Sequence, residues 1–431
     1  MAVLVVDNGA YAAKIGFNSS ENPRVIPNSI FKAKSERRRA FIGDQIEECK
    51  DFSGLFYLLP FNKGYLVNWD IEKQIWDHMF GKEGLQVNFQ ETTLLITEPQ
   101  FNLPSIKEAM DEIIFEDYNF HALSRSSAPQ LSAYKCHQEE TQKHLVCLVI
   151  DVGFSFTHII PVFNGKIIKK AVRRINVGGK LLTNHLKEII SYRQLHVLDE
   201  TYVINQLKED TCYVTNQFYK DMDTCRLKGQ DNTIVRDYVL PDYSQIKRGY
   251  IKILRMNNER FSVPEILFHP SDIGIQEMGI AEAVIHFMSV IPLDMQPHFY
   301  MNILLTGGCS LFPGFKERVF QDVRSLAPCD FDVAVYQPIN PVTYGWDGGN
   351  ALSKTETFTK KMCVTKADYE EHGKNICISN KIQTVPGKTV EGDERRVKKK
   401  ARQTGDKMKQ DERKEESGRG KWMGGIMERN S

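Results

Sequence analysis

Val3-Leu-Val-Val6 runs into Asp7-Asn8-Gly9, and Ala12 to Phe17 resumes the apolar pattern. The segment reads as strand, turn, strand: β-branched residues favour extended chain, and Asp-Asn-Gly favours a bend. The same design recurs 144 residues further on. There Leu145-Val-Cys-Leu-Val-Ile150 precedes Asp151-Val152-Gly153, and Phe156 to Phe163 resumes as a strand. A period that long is not a solenoid repeat. It predicts two similar domains, each opening with a β-hairpin. A third apolar strand, Ile303-Leu-Leu305, runs into Thr306-Gly307-Gly308, and Pro313-Gly314 introduces a helix from Phe315. Apolar residues at three- and four-residue spacing predict further helices over 71–80, 104–115, 180–192 and 202–214.

The two hairpins carry the chemistry. A tight turn points successive backbone N–H groups into the bend, where they can cradle phosphate oxygens. Glycine lets the backbone approach the ligand. An aspartate closing each strand, here Asp7 and Asp151, can hold a divalent ion through water. One Asp-x-Gly alone is an ordinary turn. Two matching hairpins with Thr306-Gly307-Gly308 are a far more specific signal, because facing hairpins would grip a triphosphate from both sides.

These motifs resemble actin and the actin-related proteins over nearly all of residues 1 to about 378. Asp7-Asn8-Gly9 with Lys14 is similar to the first phosphate loop, and Asp151-x-Gly153 with Thr157-His158 to the second. Leu304 to Gly308 and Leu311 to Gly314 are similar to the adenosine segment. Gly64-Tyr-Leu-Val-Asn-Trp-Asp70, Leu95-Ile-Thr-Glu-Pro99 and Trp346-x-Gly-Gly349 match outside the nucleotide site. Ile175 to Leu186 and the Asp7-Asn-Gly-Ala-Tyr11 opening are similar to the nuclear actin-related protein six class.

The resemblance implies an α/β, two-lobed actin-like fold, in which duplicated ribonuclease-H-like domains enclose a nucleotide cleft. Lobe I would span 1–133 with a small inserted subdomain at about 28–64. Lobe II would span 134–325, the chain would return to lobe I over 326–378, and 379–431 would form a basic disordered tail. The implied ligand is ATP or ADP with Mg or Ca. Besides the two phosphate loops, its contacts would come from Gly179, Lys208, Glu209, Gly307, Gly308 and Phe312. The implied role is a non-motor subunit of a nuclear remodelling complex that installs a histone variant in nucleosomes. Its expected partners are the other subunits and the nucleosome, and its expected location is the nucleus, with some cytoplasmic chain.

Departures from actin bear on hydrolysis. Ala10 stands where actin has a phosphate-contacting serine, and Phe154 where its second loop has an acid. Ala128 occupies the place of the water-positioning glutamine. Gln130 is two residues on, which turns its side chain roughly 200° around a helix. Each lost contact costs on the order of 10²-fold in phosphoryl transfer, so hydrolysis is expected to be slow or absent. Asn205 and Val342 replace basic contacts. The loop between Pro27 and Gly43 carries Ser35-Glu-Arg-Arg-Arg39 in place of an apolar tip, so filaments are not expected. The arginines fit either a DNA or acidic-partner contact or a plain solvated loop. The segment Asp242–Met256 is an insertion relative to actin, shorter than the class leads one to expect.

Composition fits a globular body with an arm. The chain has 431 residues, 41% hydrophobic, and net charge +1. Residues 381–431 hold 15 Lys/Arg and 9 Asp/Glu, giving +6, so the body is mildly acidic. The run Arg395-Arg-Val-Lys-Lys-Lys400 suits a nuclear import signal, a DNA-contacting arm or a solvated tail. Nine cysteines without C-x-x-C spacing fit reduced thiols in an intracellular protein rather than zinc. No secretory leader or membrane span is expected, since the first apolar run stops at Val6. A filament-forming actin-like ATPase is one alternative reading. A sugar kinase or heat-shock chaperone, which share the two-hairpin core, is another.

Overall fold

In the computed structural model, Ala2–Asn8 pairs antiparallel with Ala12–Phe17 on one side and parallel with Thr92–Thr97 on the other. Thr92–Thr97 pairs parallel with Ala122–Ser126, whose outer edge takes Val364–Thr365. The second half repeats the arrangement. Val146–Val152 pairs antiparallel with Thr157–Phe163 and parallel with Ile303–Thr306, which pairs parallel with Val335–Tyr336. Among the described residues these form two six-stranded sheets, each built on a hairpin and the parallel strand beside it. Their central strands are buried nearly end to end. Parallel strands covered by helices on both faces read as continuous apolar runs, which is why Val3–Val6 and Val146–Ile150 do not alternate.

The structure describes residues 2–34, 36, 38–52, 54–139, 145–240, 253–373 and 376–377. Ser35, Arg37, most of the 242–256 insertion and the tail beyond 377 lie outside them. The described residues belong to one compact unit. A small sheet, with Ile30–Lys32 between Ala40–Ile42 and Phe56–Leu58, has its own apolar core of Phe31, Phe41, Ile46 and Leu55. Arg39 is not free there: it pairs with Glu48 and lies over the Phe41 ring. Among the described residues no helix is long and apolar enough to cross a membrane.

The lobes meet through two closely crossed helices, Ala128–Gln138 and Tyr344–Ser353. A Cβ on Gly348 would fall 2.0 Å from the Leu131 carbonyl oxygen, so only glycine permits this approach. Trp346, fully buried, donates its indole N–H to the Val5 carbonyl at 3.0 Å and so ties this crossing to the first strand. The helix expected over 202–214 is Thr201–Thr211. Tertiary partners take the chain beyond it, because the N–H groups of Tyr213 and Val214 bond the carbonyls of Arg260 and Pro313.

Candidate functional site: a cleft between two Asp-x-Gly hairpins

The strand register sets Asp7 opposite Lys14 at the end of the first hairpin. The Lys14 ammonium lies 3.0 Å from Asp7 Oδ2. Thr97, at the end of the neighbouring parallel strand, donates its hydroxyl to Asp7 Oδ1 at 2.7 Å and accepts the Asn8 N–H at 2.9 Å. The second hairpin repeats this design. Asp151 stands opposite His158, and the Thr306 hydroxyl reaches Asp151 Oδ1 at 3.4 Å. The resemblance places Thr97 outside the nucleotide site, and the structure corrects this, since Thr97 bonds Asp7 and lines the cavity. The available signal was the likeness of Leu94-Leu-Ile-Thr97 to Ile303-Leu-Leu-Thr306.

Between the hairpins lies a cavity of about 470 Å³, within the range usual for small-molecule sites. Asp7, Asn8, Gly9 and Lys14 line one wall, and Asp151 and Gly153 the facing one. Gly179, Lys208, Glu209, Gly307, Gly308 and Phe312 line the end that the resemblance assigned to adenosine. Of the residues predicted for the site, only Thr157 does not line it. Thr157 is fully buried behind the second loop and donates to the Val177 carbonyl at 2.9 Å. The first lobe also lends Thr97, Glu98 and Pro99 to the cavity.

Local backbone explains the glycines. Gly307 has φ +89°, and a Cβ there would meet the Val152 carbonyl oxygen at 2.4 Å. A Cβ on Gly308 would meet nothing within 4 Å, so that residue leaves room in the cavity. Gly179 opens the helix Gly179–Arg193, and its N–H bonds the Gly153 carbonyl at 3.0 Å, so the helix start is seated on the second loop. Two side chains are committed to protein partners. Asn8 donates its amide to Glu72 Oε1 at 2.7 Å, while its own Oδ1 accepts from Asn28 at 3.2 Å. Lys208 is buried and donates to Asn205 Oδ1, Thr183 Oγ1 and the Gly179 carbonyl at 2.8, 2.9 and 3.3 Å.

Electrostatics favour a cation between the walls. Burial, and then the charge of Asp7, push Asp151 up to about 6 from the usual carboxylate range. Mutual repulsion between two buried carboxylates is relieved by a shared cation. Among the described residues no cluster of three or more His, Cys, Asp or Glu could hold a metal directly, so an ion here would complete its shell with water and phosphate. His158 also lines the cavity, and burial and the charge of Arg174 hold it neutral down to about 3. Its Nε2 is buried with no protein partner, an orphan that a bound water or phosphate would satisfy. Paired aspartates, an adjacent lysine, an unpartnered imidazole nitrogen and glycine-made space together fit a nucleotide with a hydrated divalent ion.

Ala10, Ala128 and Val342 also line this cavity. Gln130 does not: its amide donates to the Gly165 carbonyl at 3.0 Å, away from the site.

A family model described as Actin matches residues 1–383, and the chain belongs to the actin family, whose two-lobed α/β fold it shares. Within that family it is similar to actin-related and actin-like proteins of animals, fungi and plants. Actin-related protein 6 of Drosophila melanogaster is 44% identical over 86% of this chain and 98% of that protein. Actin-like protein ARP6 of Cryptococcus neoformans is 38% identical over 87% of this chain and 83% of its own. Actin-related protein 6 of Oryza sativa subsp. japonica is 35% identical over 87% and 97%.

Proposed function

We propose that the chain is a non-motor actin-related subunit of a nuclear chromatin-remodelling complex that exchanges a histone variant into nucleosomes. In this reading it holds ATP or ADP as a structural ligand and turns it over slowly or not at all. One observation carries the nucleotide half: two Asp-x-Gly hairpins face each other across a single cavity in which Ala10 and Ala128 supply no hydroxyl or amide. The resemblance to the nuclear actin-related proteins supports the assembly half.

The residues divide the work. Backbone N–H groups of the two loops and the Lys14 ammonium bind phosphate oxygens, and Asp7 and Asp151 orient a hydrated Mg or Ca ion. When bound, that ion neutralises phosphate charge. Gly179, Gly307 and Gly308 make room for the nucleoside, and Phe312 offers a ring to stack on. Gln130, bonded to Gly165, is held away from the place of a water in line with the terminal phosphate. A ligand gripped from both lobes stabilises the folded state by mass action without turnover. It would also fix the lobe orientation that partner subunits bind.

The test is purification of the tagged chain from nuclear and cytoplasmic extracts. Co-purifying subunits would be identified, nucleotide extracted by denaturation, and turnover measured on the purified chain. The expected result is a nuclear complex containing a separate motor ATPase and histones, with bound nucleotide that persists for hours. Actin-like hydrolysis with pelleting filaments would overturn the reading in favour of a filament-forming ATPase.

A further inference from the structure

A second cavity of about 310 Å³ lies beside the cleft. Its walls come from the small sheet region, through Lys34 and Tyr57, and from the second lobe, through Lys180 and Asp199. Among the described residues, Tyr11, Phe154 and Asn205 alone line both cavities. Tyr11 touches the other two. Asn205 donates its amide to the Tyr11 hydroxyl at 3.0 Å, and the Tyr11 and Phe154 rings are 5.1 Å apart. A first-lobe side chain thus lies across the gap on two second-lobe side chains and separates the two spaces.

The bar is held rigidly at its far end. Asn205 gives its other amide hydrogen to Glu209 at 2.8 Å, and its Oδ1 accepts from Lys208 at 2.8 Å and from Thr183 at 3.0 Å. Its capacity is therefore filled, and the lysine fixes which way its amide points. Lys208 and Glu209 also line the nucleoside end of the cleft, so the support of the bar and the ligand site share residues. Phe154 and Asn205 are two of the positions where the sequence departs from actin, and both departures are partners of Tyr11.

We propose that Tyr11, closed on Phe154 and Asn205, is a door between the cleft and the outer cavity and sets how fast nucleotide leaves. The identity of the ligand rests on the proposed function; the door itself does not. A ligand leaving toward the outer cavity has to break the Tyr11 contacts, and Lys208 and Glu209 transmit occupancy of the nucleoside end to Asn205. The consequence is slow exchange, suited to a ligand kept for structure.

The test uses the full chain preloaded with tritiated ADP and chased with unlabelled ADP, as wild type, Tyr11→Phe and Tyr11→Ala. Loss of the hydrogen bond alone in Tyr11→Phe is expected to speed release about 5-fold. Loss of the ring as well is expected to speed it by about ten-fold or more. A second reading needs no nucleotide. Cys309 lines the cleft, buried, with its thiol pushed up to about 11 by burial and Sγ 3.6 Å from the Gly153 carbonyl oxygen, so wild type should react slowly with N-ethylmaleimide, and the change in its alkylation between variants, mapped by mass spectrometry, reports opening of the wall at Tyr11. Alkylation should rise in Tyr11→Ala and less in Tyr11→Phe. If wild type retains no ADP but Cys309 labelling rises, the door stands and the nucleotide reading falls. Unchanged Cys309 labelling in folded Tyr11→Ala, with or without ADP bound, overturns the door.

Discussion

Replacing Glu72 by glutamine should stabilise the protein at pH 8 and hardly change it at pH 5. Glu72 is fully buried in the helix Trp69–Phe80, directly behind the first phosphate loop. Its Oε1 accepts the Asn8 amide at 2.7 Å, and the Asn28 amide and Trp76 indole N–H also face the carboxyl. Burial outweighs the neighbouring amides and pushes this carboxyl up from 4.5 to about 7. The folded state therefore binds the proton more tightly than the unfolded chain. Ionisation works against folding as pH rises through about 7, and the penalty vanishes below the unfolded value. At about 1.4 kcal/mol per pKa unit, the penalty is about 3 kcal/mol at pH 8 and under about 1 kcal/mol at pH 5. Glutamine keeps the acceptor for Asn8 and carries no charge. Urea unfolding of wild type and Glu72→Gln at both pH values should show the variant gaining about 2 kcal/mol on wild type between pH 5 and pH 8. Parallel curves, with no change in the difference between the proteins, would refute the assignment of a buried, ionisation-resistant carboxyl.

Four further outcomes follow from named residues. Gly307→Ala should destabilise the fold by about 2 kcal/mol or more, because a positive φ and a clash with Val152 coincide there. Gly308→Ala should stay within about 0.5 kcal/mol of wild type in thermal melts, yet weaken nucleotide binding in titration by filling the cavity. Arg318→Ala should cost about 3–5 kcal/mol in urea unfolding, since it leaves buried Glu265, now bonded bidentately at 2.6 and 2.9 Å, with His269 at 3.5 Å as its remaining ionisable neighbour. Lys14→Met should lower nucleotide affinity about 10- to 100-fold by calorimetric titration, the magnitude of a charged hydrogen bond.

The two hairpins were legible because their signals are local. Val3–Val6 and Val146–Ile150 are apolar without interruption, and each ends on Asp-x-Gly, so strand and turn are both written within about ten residues. Predicted helix starts near Gly179 and Phe315 were also close to those found, because a glycine stands at each junction. Less was visible where long-range partners compete with local preference. The 202–214 helix stops at Thr211 because Arg260 and Pro313 capture the next N–H groups. Glu72 reads from sequence as one more polar position on an amphipathic helix. That its carboxyl is enclosed against Asn8 depends on how that helix docks.

By itself the sequence determined that two Asp-x-Gly hairpins exist, that Gly307-Gly308 follows a third strand, and that the side chains at Ala10 and Ala128 are too short to hold a water or phosphate. Residue type and near-neighbour spacing decide those matters. Only the tertiary structure decided that Thr97 and Thr306 support the two aspartates alike, that Lys208 donates to protein acceptors, and that Tyr11 meets an asparagine 194 residues away. Strand register within each sheet fixes the two threonine–aspartate pairs, one helix turn sets Lys208 on Asn205, and how the two lobes close on each other fixes Tyr11 on Asn205. The packing energy that closes them is spread over whole cores and leaves no mark at any one position in the chain.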